Sequence, residues 1–296
     1  MRRVLLVVLI LVLIGVVGFW FVTRPEVVEA SDLPAHKPNL DNGKVMFFAG
    51  GCASCHATPK QDDLTRLGGG TALAAPPYGT FYPPNISPDP SDGIGSWTEA
   101  NFVTAMVKGT SPDGRHYFPS FPYTSYQRMT LADLRDLFAF IKTLPPVQGR
   151  VRDHDIRFPY NIRLALGGWK SLYLDGRRFT PDPNRPAEWN RGAYLVNGPA
   201  HCAECHSPRN ALGAIVEDKR FAGGPNPEGE GTIPNITQHG IGEYSVKVIE
   251  RILETGETPD DTVGDSMLAV VRSTSQLPQS DRAAMAAYIK SLPPVH

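Results

Sequence analysis

Residues 38–147 and 190–296 are two versions of one pattern, and that repeat restricts the fold more than any other feature of this 296-residue chain. Cys52-Ala-Ser-Cys55-His56 returns as Cys202-Ala-Glu-Cys205-His206. Asn85-Ile86-Ser87 follows His56 by 29 residues, and Asn235-Ile236-Thr237 follows His206 by the same interval. "GIGSWTEANFVTAMVKG" (93–109) answers "GIGEYSVKVIERILETG" (240–256). "MTLADLRDLFAFIKTLPPV" (129–147) answers "LPQSDRAAMAAYIKSLPPV" (277–295). Two domains are therefore expected, joined by a connector over residues 148–189 rich in Arg, Pro, Gly and aromatic side chains, able to pack across both.

Each copy reads as short helices in Gly/Pro-rich loops. A helix leads into each cysteine motif, over Gly43 to Phe48 and Ala193 to Val196. A middle helix spans Thr98 to Lys108 or Ser245 to Glu254, with Thr98 and Ser245 as caps. The last helix starts after Thr130, with Asp133 as a capping-box acid and Leu134, Leu137, Phe138 and Ile141 as its apolar stripe. Pro-Pro pairs stop both copies, and no alternating strand pattern of comparable strength is present. The expected class is all-α, as tandem domains behind an N-terminal transmembrane helix.

That helix is read from residues 4–22, where every side chain is apolar or Gly after Arg2 and Arg3. At ~1.5 Å per residue the run nearly spans a hydrocarbon core of ~30 Å. Residues 1–24 are read as a retained anchor with a cytoplasmic N-terminus, because the arginines favour the inner side. The rival is a cleavable signal peptide ending near "VEAS" at 28–31. Both place the rest outside the cytoplasm. A net charge of −1 gives no electrostatic reason to expect nucleic acid as a partner.

The two motifs contain all four cysteines. A redox Cys-x-x-Cys needs only thiols and leaves the following histidine unexplained twice. A shared zinc site would join pairs 147 residues apart, far beyond the usual ~15–20. Cys-x-x-Cys-His as the attachment sequence of c-type haem uses every residue. Cys52 and Cys55, and Cys202 and Cys205, would form thioethers, with His56 and His206 as proximal iron ligands and two covalently attached haem c groups.

The sixth ligands are less constrained. Met267, in "GDSMLAVV", is read as lying in a loop ahead of the final helix and as the second haem's ligand; its other reading is a core filler. In the first copy Phe121 holds the comparable place, and phenylalanine cannot bind iron. Met129 sits just before the final helix and is the candidate there, although it aligns with Leu277. His116, Met106, another ligand or an open site are the alternatives. Asn85 and Asn235 are expected to fix loop backbone near the haem or to make plain turns. Tyr82, Trp97 and Tyr244 fit either porphyrin or core packing, and Arg209 either a haem propionate or the surface.

With "YGTFYPPNISPDPSDGIGSW", "FPSFPYTSYQRMT", "RGAYLVNGPAHCAECHSPRNALG" and "IPNITQHGIGEYS", the chain resembles the diheme class I cytochrome c family. Within it, the resemblance is to membrane-associated cytochrome subunits of bacterial periplasmic dehydrogenases, and it covers nearly everything after Leu40. It implies helical cytochrome c domains on an inner-membrane anchor, with the haem domains in the periplasm. Electrons would come from a periplasmic or membrane-associated dehydrogenase and pass to a cytochrome, quinone or oxidase acceptor. Many alcohol-dehydrogenase cytochrome subunits have three haem domains and a "MPY" segment; this chain has two, and Phe121 in "FPY". The competing class is a diheme enzyme, a peroxidase or thiosulfate-oxidising cytochrome with an open or exchangeable first haem.

Overall fold

The computed structural model describes residues 1–227 and 229–296. The chain opens with α1 (Arg2–Thr23), an apolar helix of 22 residues that exposes every side chain but that of Thr23. Among the described residues it is the one helix long and apolar enough to cross a membrane.

The rest is predominantly helical, and its two halves repeat one packing. In the first, α2 (Leu40–Ala49) runs into α3 (Cys52–His56), followed by α4 (Glu99–Lys108), α5 (Tyr123–Tyr126) and α6 (Leu131–Ile141). After α7 (Arg163–Tyr173) in the connector, the second half sets α8 (Ala187–Asn197) before α9 (Ala203–His206). Then come α10 (Gln238–Ile241), α11 (Val246–Thr255), α12 (Asp265–Thr274) and α13 (Gln279–Lys290). Thr98 and Ser245 cap the middle helices as expected, each accepting a backbone N–H three residues on. Gly109 (φ 55°) and Gly256 (φ 77°) end them in the left-handed region.

The scaffold of each half is a close crossing of its first and last helices. A Cβ on Gly43 of α2 would lie 2.2 Å from the Asp136 carbonyl oxygen of α6. A Cβ on Gly192 of α8 would lie 1.9 Å from that of Ala284 on α13. Only glycine permits backbones this near. On α6 the expected stripe of Leu134, Leu137, Phe138 and Ile141 is buried. Complete burial of such side chains contributes ~1.5–3 kcal/mol each. The expected capping box is half made. Thr130 Oγ1 accepts from Asp133 N–H at 3.1 Å, but the Thr130 N–H goes to Tyr194 Oη at 3.2 Å. Asp133 instead accepts from Asn42 (2.7 Å) and from the Tyr194 hydroxyl. A tyrosine from the other half has displaced the local partner.

The all-α expectation needs one correction. β1 (Leu73–Ala75), β2 (Gly79–Phe81) and β3 (Asp155–Ile156) form an antiparallel sheet, with Ala75 opposite Gly79 and Gly79 opposite Ile156. β4 (Gly224–Pro225) and β5 (Thr232–Ile233) form a second pair. At two or three residues, none shows a period-two pattern. β3 stitches the connector to the first half, and α7 carries it onward. Lys170 donates to the Lys108 and Gly109 carbonyls (2.6 and 3.2 Å), and Trp169 Nε1 donates to the Leu212 carbonyl (2.9 Å). The connector thus touches both halves.

Candidate functional site: the paired cysteine motifs

Gly51, at φ 57°, turns the chain from α2 into α3, so Cys52, Cys55 and His56 share one short helix. In the second half Cys202 is the N-cap of α9, which carries Cys205 and His206. His56 Nδ1–H donates to the Pro84 carbonyl at 2.7 Å, and His206 Nδ1–H donates to the Pro234 carbonyl at 2.8 Å. A ring whose Nδ1 is so engaged is fixed in the tautomer that leaves the Nε2 lone pair for a metal. Burial lowers both histidines' pKa values, partly offset by these carbonyl bonds, so they are neutral donors. Motif spacing alone singles out neither proline. The signal is present in the repeat, since each immediately precedes the paired asparagine.

Those asparagines hold the proline loop in place. Asn85 Oδ1 accepts from Ser87 N–H (2.9 Å) while its amide donates to the Val147 carbonyl (2.7 Å). Asn235 repeats both bonds, to Thr237 N–H and the Val295 carbonyl, each at 2.8 Å. They combine a turn with a clamp onto the segment beyond the terminal prolines.

Burial, then the neighbouring cysteine, pushes Cys52 and Cys202 up to about 12. They lack the thiolate that a redox Cys-x-x-Cys uses at neutral pH. No disulfide joins the four cysteines. Two thiols on one turn beside an imidazole with an available Nε2 fit a covalently held haem in each half.

The methionines sit differently. Met129 is fully buried just before α6 and its cap Thr130; its N–H meets the Tyr126 carbonyl (3.0 Å), and its carbonyl accepts from Arg178 (2.7 Å). Leu277 repeats the arrangement with Thr274 and Arg282. Met267 is half-buried in the first turn of α12, not in a loop. Val271, Ser273 and Thr274 are buried, and Thr274 Oγ1 holds the helix to the Leu253 carbonyl, so the segment has a packed face of its own. His116 Nε2–H donates to the Thr23 carbonyl at 2.7 Å, which ties that ring to the end of α1. Met106 is buried in α4, and Phe121 packs edge-on against Tyr117 and Tyr126. Trp97 and Tyr244 pack against the core, while Tyr82 lies beneath the Arg152 guanidinium. Arg209 pairs with Glu204 at 2.7 Å.

The two motifs also dock across the halves. Ser54 and Glu204 are the same position of the motif. Ser54 donates to the Ala269 carbonyl (2.9 Å) and lies 3.3 Å from the Ser273 hydroxyl on α12. Glu204 accepts from Ser125 (2.8 Å) and Thr124 (2.9 Å) on α5. Ser125 and Ser273 are themselves repeat equivalents, so the contact is made twice, once in each direction. Tyr126 adds a ring contact with His201 at 5.6 Å.

This geometry defines a class: a protein built around two histidine-bearing thiol pairs held back to back. The Cytochrome c family profile matches residues 40–145. The chain is 48% identical over 299 residues to the "Diheme cytochrome c-type" of Cereibacter sphaeroides, covering all of both. It is 35% identical to the fructose dehydrogenase cytochrome subunit of Gluconobacter japonicus over 91% of this chain and 56% of that one. With a nicotinate dehydrogenase chain of Pseudomonas putida the identity is 38%, over 86% of this chain and 21% of that one. The chain therefore spans well under two thirds of these two dehydrogenase components. It belongs to the diheme c-type cytochromes related to the cytochrome subunits of periplasmic dehydrogenases, with two covalently bound haem c groups and an electron-carrying role.

Proposed function

We propose that Cys52 and Cys55 hold one haem and Cys202 and Cys205 the other, with His56 and His206 as proximal ligands. The observation that carries this reading is the matched bond from each histidine to a proline carbonyl, at 2.7 and 2.8 Å. Met267 would supply a thioether sulfur to the iron of the second haem and Met129 to that of the first. When bound, each haem supplies an iron that alternates between ferric and ferrous states. The chain's part is to orient each imidazole and to hold the two motifs together through the contacts of Ser54 and Glu204. The reciprocal contacts of Ser54 and Glu204 support electron passage between tandem cytochrome c domains within one chain.

The donor on this reading is a periplasmic or membrane-associated dehydrogenase, and the acceptor a cytochrome, quinone or oxidase. α1 is the inner-membrane anchor, its N-terminus cytoplasmic because of Arg2 and Arg3 and the haem domains periplasmic.

Met129→Leu tests the first of these ligands with little disturbance of the fold, because Leu277 shows that leucine suits this backbone. The near-infrared methionine-to-iron band should fall by half, with stability changed by less than ~1.5 kcal/mol. An unchanged band removes Met129 from the iron. A high-spin first haem with peroxide turnover in the unmutated protein would favour the enzyme reading instead. Cys202→Ser with Cys205→Ser should reduce covalent haem from two per chain to one by pyridine haemochrome assay.

A further inference from the structure

The connector helix α7 is amphipathic in the wrong sense for a water-facing surface. Its two charged residues are drawn inward. Lys170 is buried against α4's last carbonyls, and Arg163 donates to the His116 carbonyl (2.7 Å) while lying over the Phe118 ring. The opposite face, Leu164, Ala165, Gly168 and Leu172, is uncharged and open, with Leu172 68% exposed. Just upstream, Phe158 is 79% exposed, and Tyr160 and Ile162 are exposed as well.

These side chains form part of one surface. Tyr160 packs edge-on against Tyr78 at 4.8 Å, and the Tyr78 hydroxyl would lie 2.9 Å from a Cβ on Gly213. Next to it Leu212 is 58% exposed, and its carbonyl takes the Trp169 indole N–H. The surface also adjoins the exit of α1. A Cβ on Gly167 of α7 would stand 2.5 Å from the Thr23 carbonyl oxygen, and His116 closes on the same carbonyl. Arg24 and Arg157, both exposed, flank it. Apolar side chains with aromatic and arginine neighbours at the end of an apolar helix match the chemistry of a bilayer's interfacial zone.

We propose that α7 and residues 158–162, together with Leu212, lie in the surface layer of the membrane that α1 enters, so that both halves rest on lipid. The proposal depends on α1 being a membrane anchor. The occupant of the apolar face is lipid, because that face continues from the anchor's end and turns its charges inward.

The test uses the full-length holoprotein in vesicles of phosphatidylglycerol and phosphatidylethanolamine. Nitroxide labels are placed singly through Phe158→Cys, Leu164→Cys and Leu172→Cys, with Val12→Cys in α1 and Glu188→Cys on the exposed start of α8 as references. Collision with oxygen relative to a water-soluble nickel chelate should be several-fold higher at the three sites than at 188. Values equal to those at 188, with residue 12 deep in the bilayer, overturn the proposal and leave the anchor standing. A water-like value at residue 12 sinks the anchor, and the proposal with it. Shielding of the three sites from both reagents would mark a protein-covered face, which also overturns it.

Discussion

Asn42 in the first half and Arg191 in the second occupy matching places beside the close helix crossing, yet they hold it with different chemistry. Asn42 offers a neutral amide to Asp133 and Asp136, at 2.7 Å each, and His36 and Tyr194 share the same two carboxylates. Arg191 instead makes two parallel bonds of 2.8 Å to Asp281. Where the first half has Asp136, the second has Ala284. The glycine contact fixes the backbone geometry, and the polar groups around it are free to differ. The first half's crossing is stitched through a network that includes Tyr194 of the second, whereas Arg191 and Asp281 pair within the second half.

The crossing should break first at its shared element. Gly192→Ala and Gly43→Ala each force a Cβ into a carbonyl, which should cost ~1–3 kcal/mol by denaturant unfolding, with Gly192 the worse of the two. Equal tolerance in both halves would mean that the helices slide apart easily. The next contrast lies between the carboxylates. Asp281→Asn leaves the guanidinium without its counter-charge, an expected loss of ~1.5–3 kcal/mol, while Asp133→Asn should cost nearer ~1 kcal/mol. If the order reverses, Tyr194 and not Asn42 is the main partner of Asp133.

The smallest effect should appear in acid. Burial alone would raise the Asp136 pKa, but the Asn39 N–H, the Asn42 amide and His36 outweigh it and hold the carboxyl below its ordinary value of 3.8. Its contribution is therefore complete above that value and disappears as pH falls below it through the lower folded pKa. The first half should lose stability in that window, and Asp136→Asn should flatten the slope. Ala284 puts no titrating group at that place in the second half, where Glu204 is the carboxyl held low, against its burial, by Arg209, Ser125 and Thr124. An acid slope left unchanged by Asp136→Asn would contradict this account.

The legible part of the molecule is the part written in local spacing. The helix caps at Thr98 and Ser245, the stripe on α6 and the paired motifs all follow from residues within one or two turns of each other. What escapes such a reading is set by distant partners. Thr130 carries every local sign of a capping box, but Tyr194 arrives from 64 residues away to take its N–H. Met267 reads as loop because its helix is packed through Thr274 against α11, a contact invisible in the spacing of "GDSMLAVV". The strands are too short to show a period. Pro84 and Pro234 are legible in principle, since the repeat carries them in register. At Met129 spacing alone decides nothing, because the repeat itself, through Leu277, argues for a core residue there.

The exchanged contacts of Ser54 and Glu204 also bear on how such a molecule comes into being. Each cysteine helix is backed by a segment from the other half, so the finished interface covers part of the surface around both motifs. The first motif leaves the export channel about 150 residues ahead of the second, before its cover exists. If Cys52 and Cys55 hold the first haem as proposed above, their attachment has an early interval of open access before α12 has emerged, whereas α5, the cover of the second motif, emerges ahead of that motif.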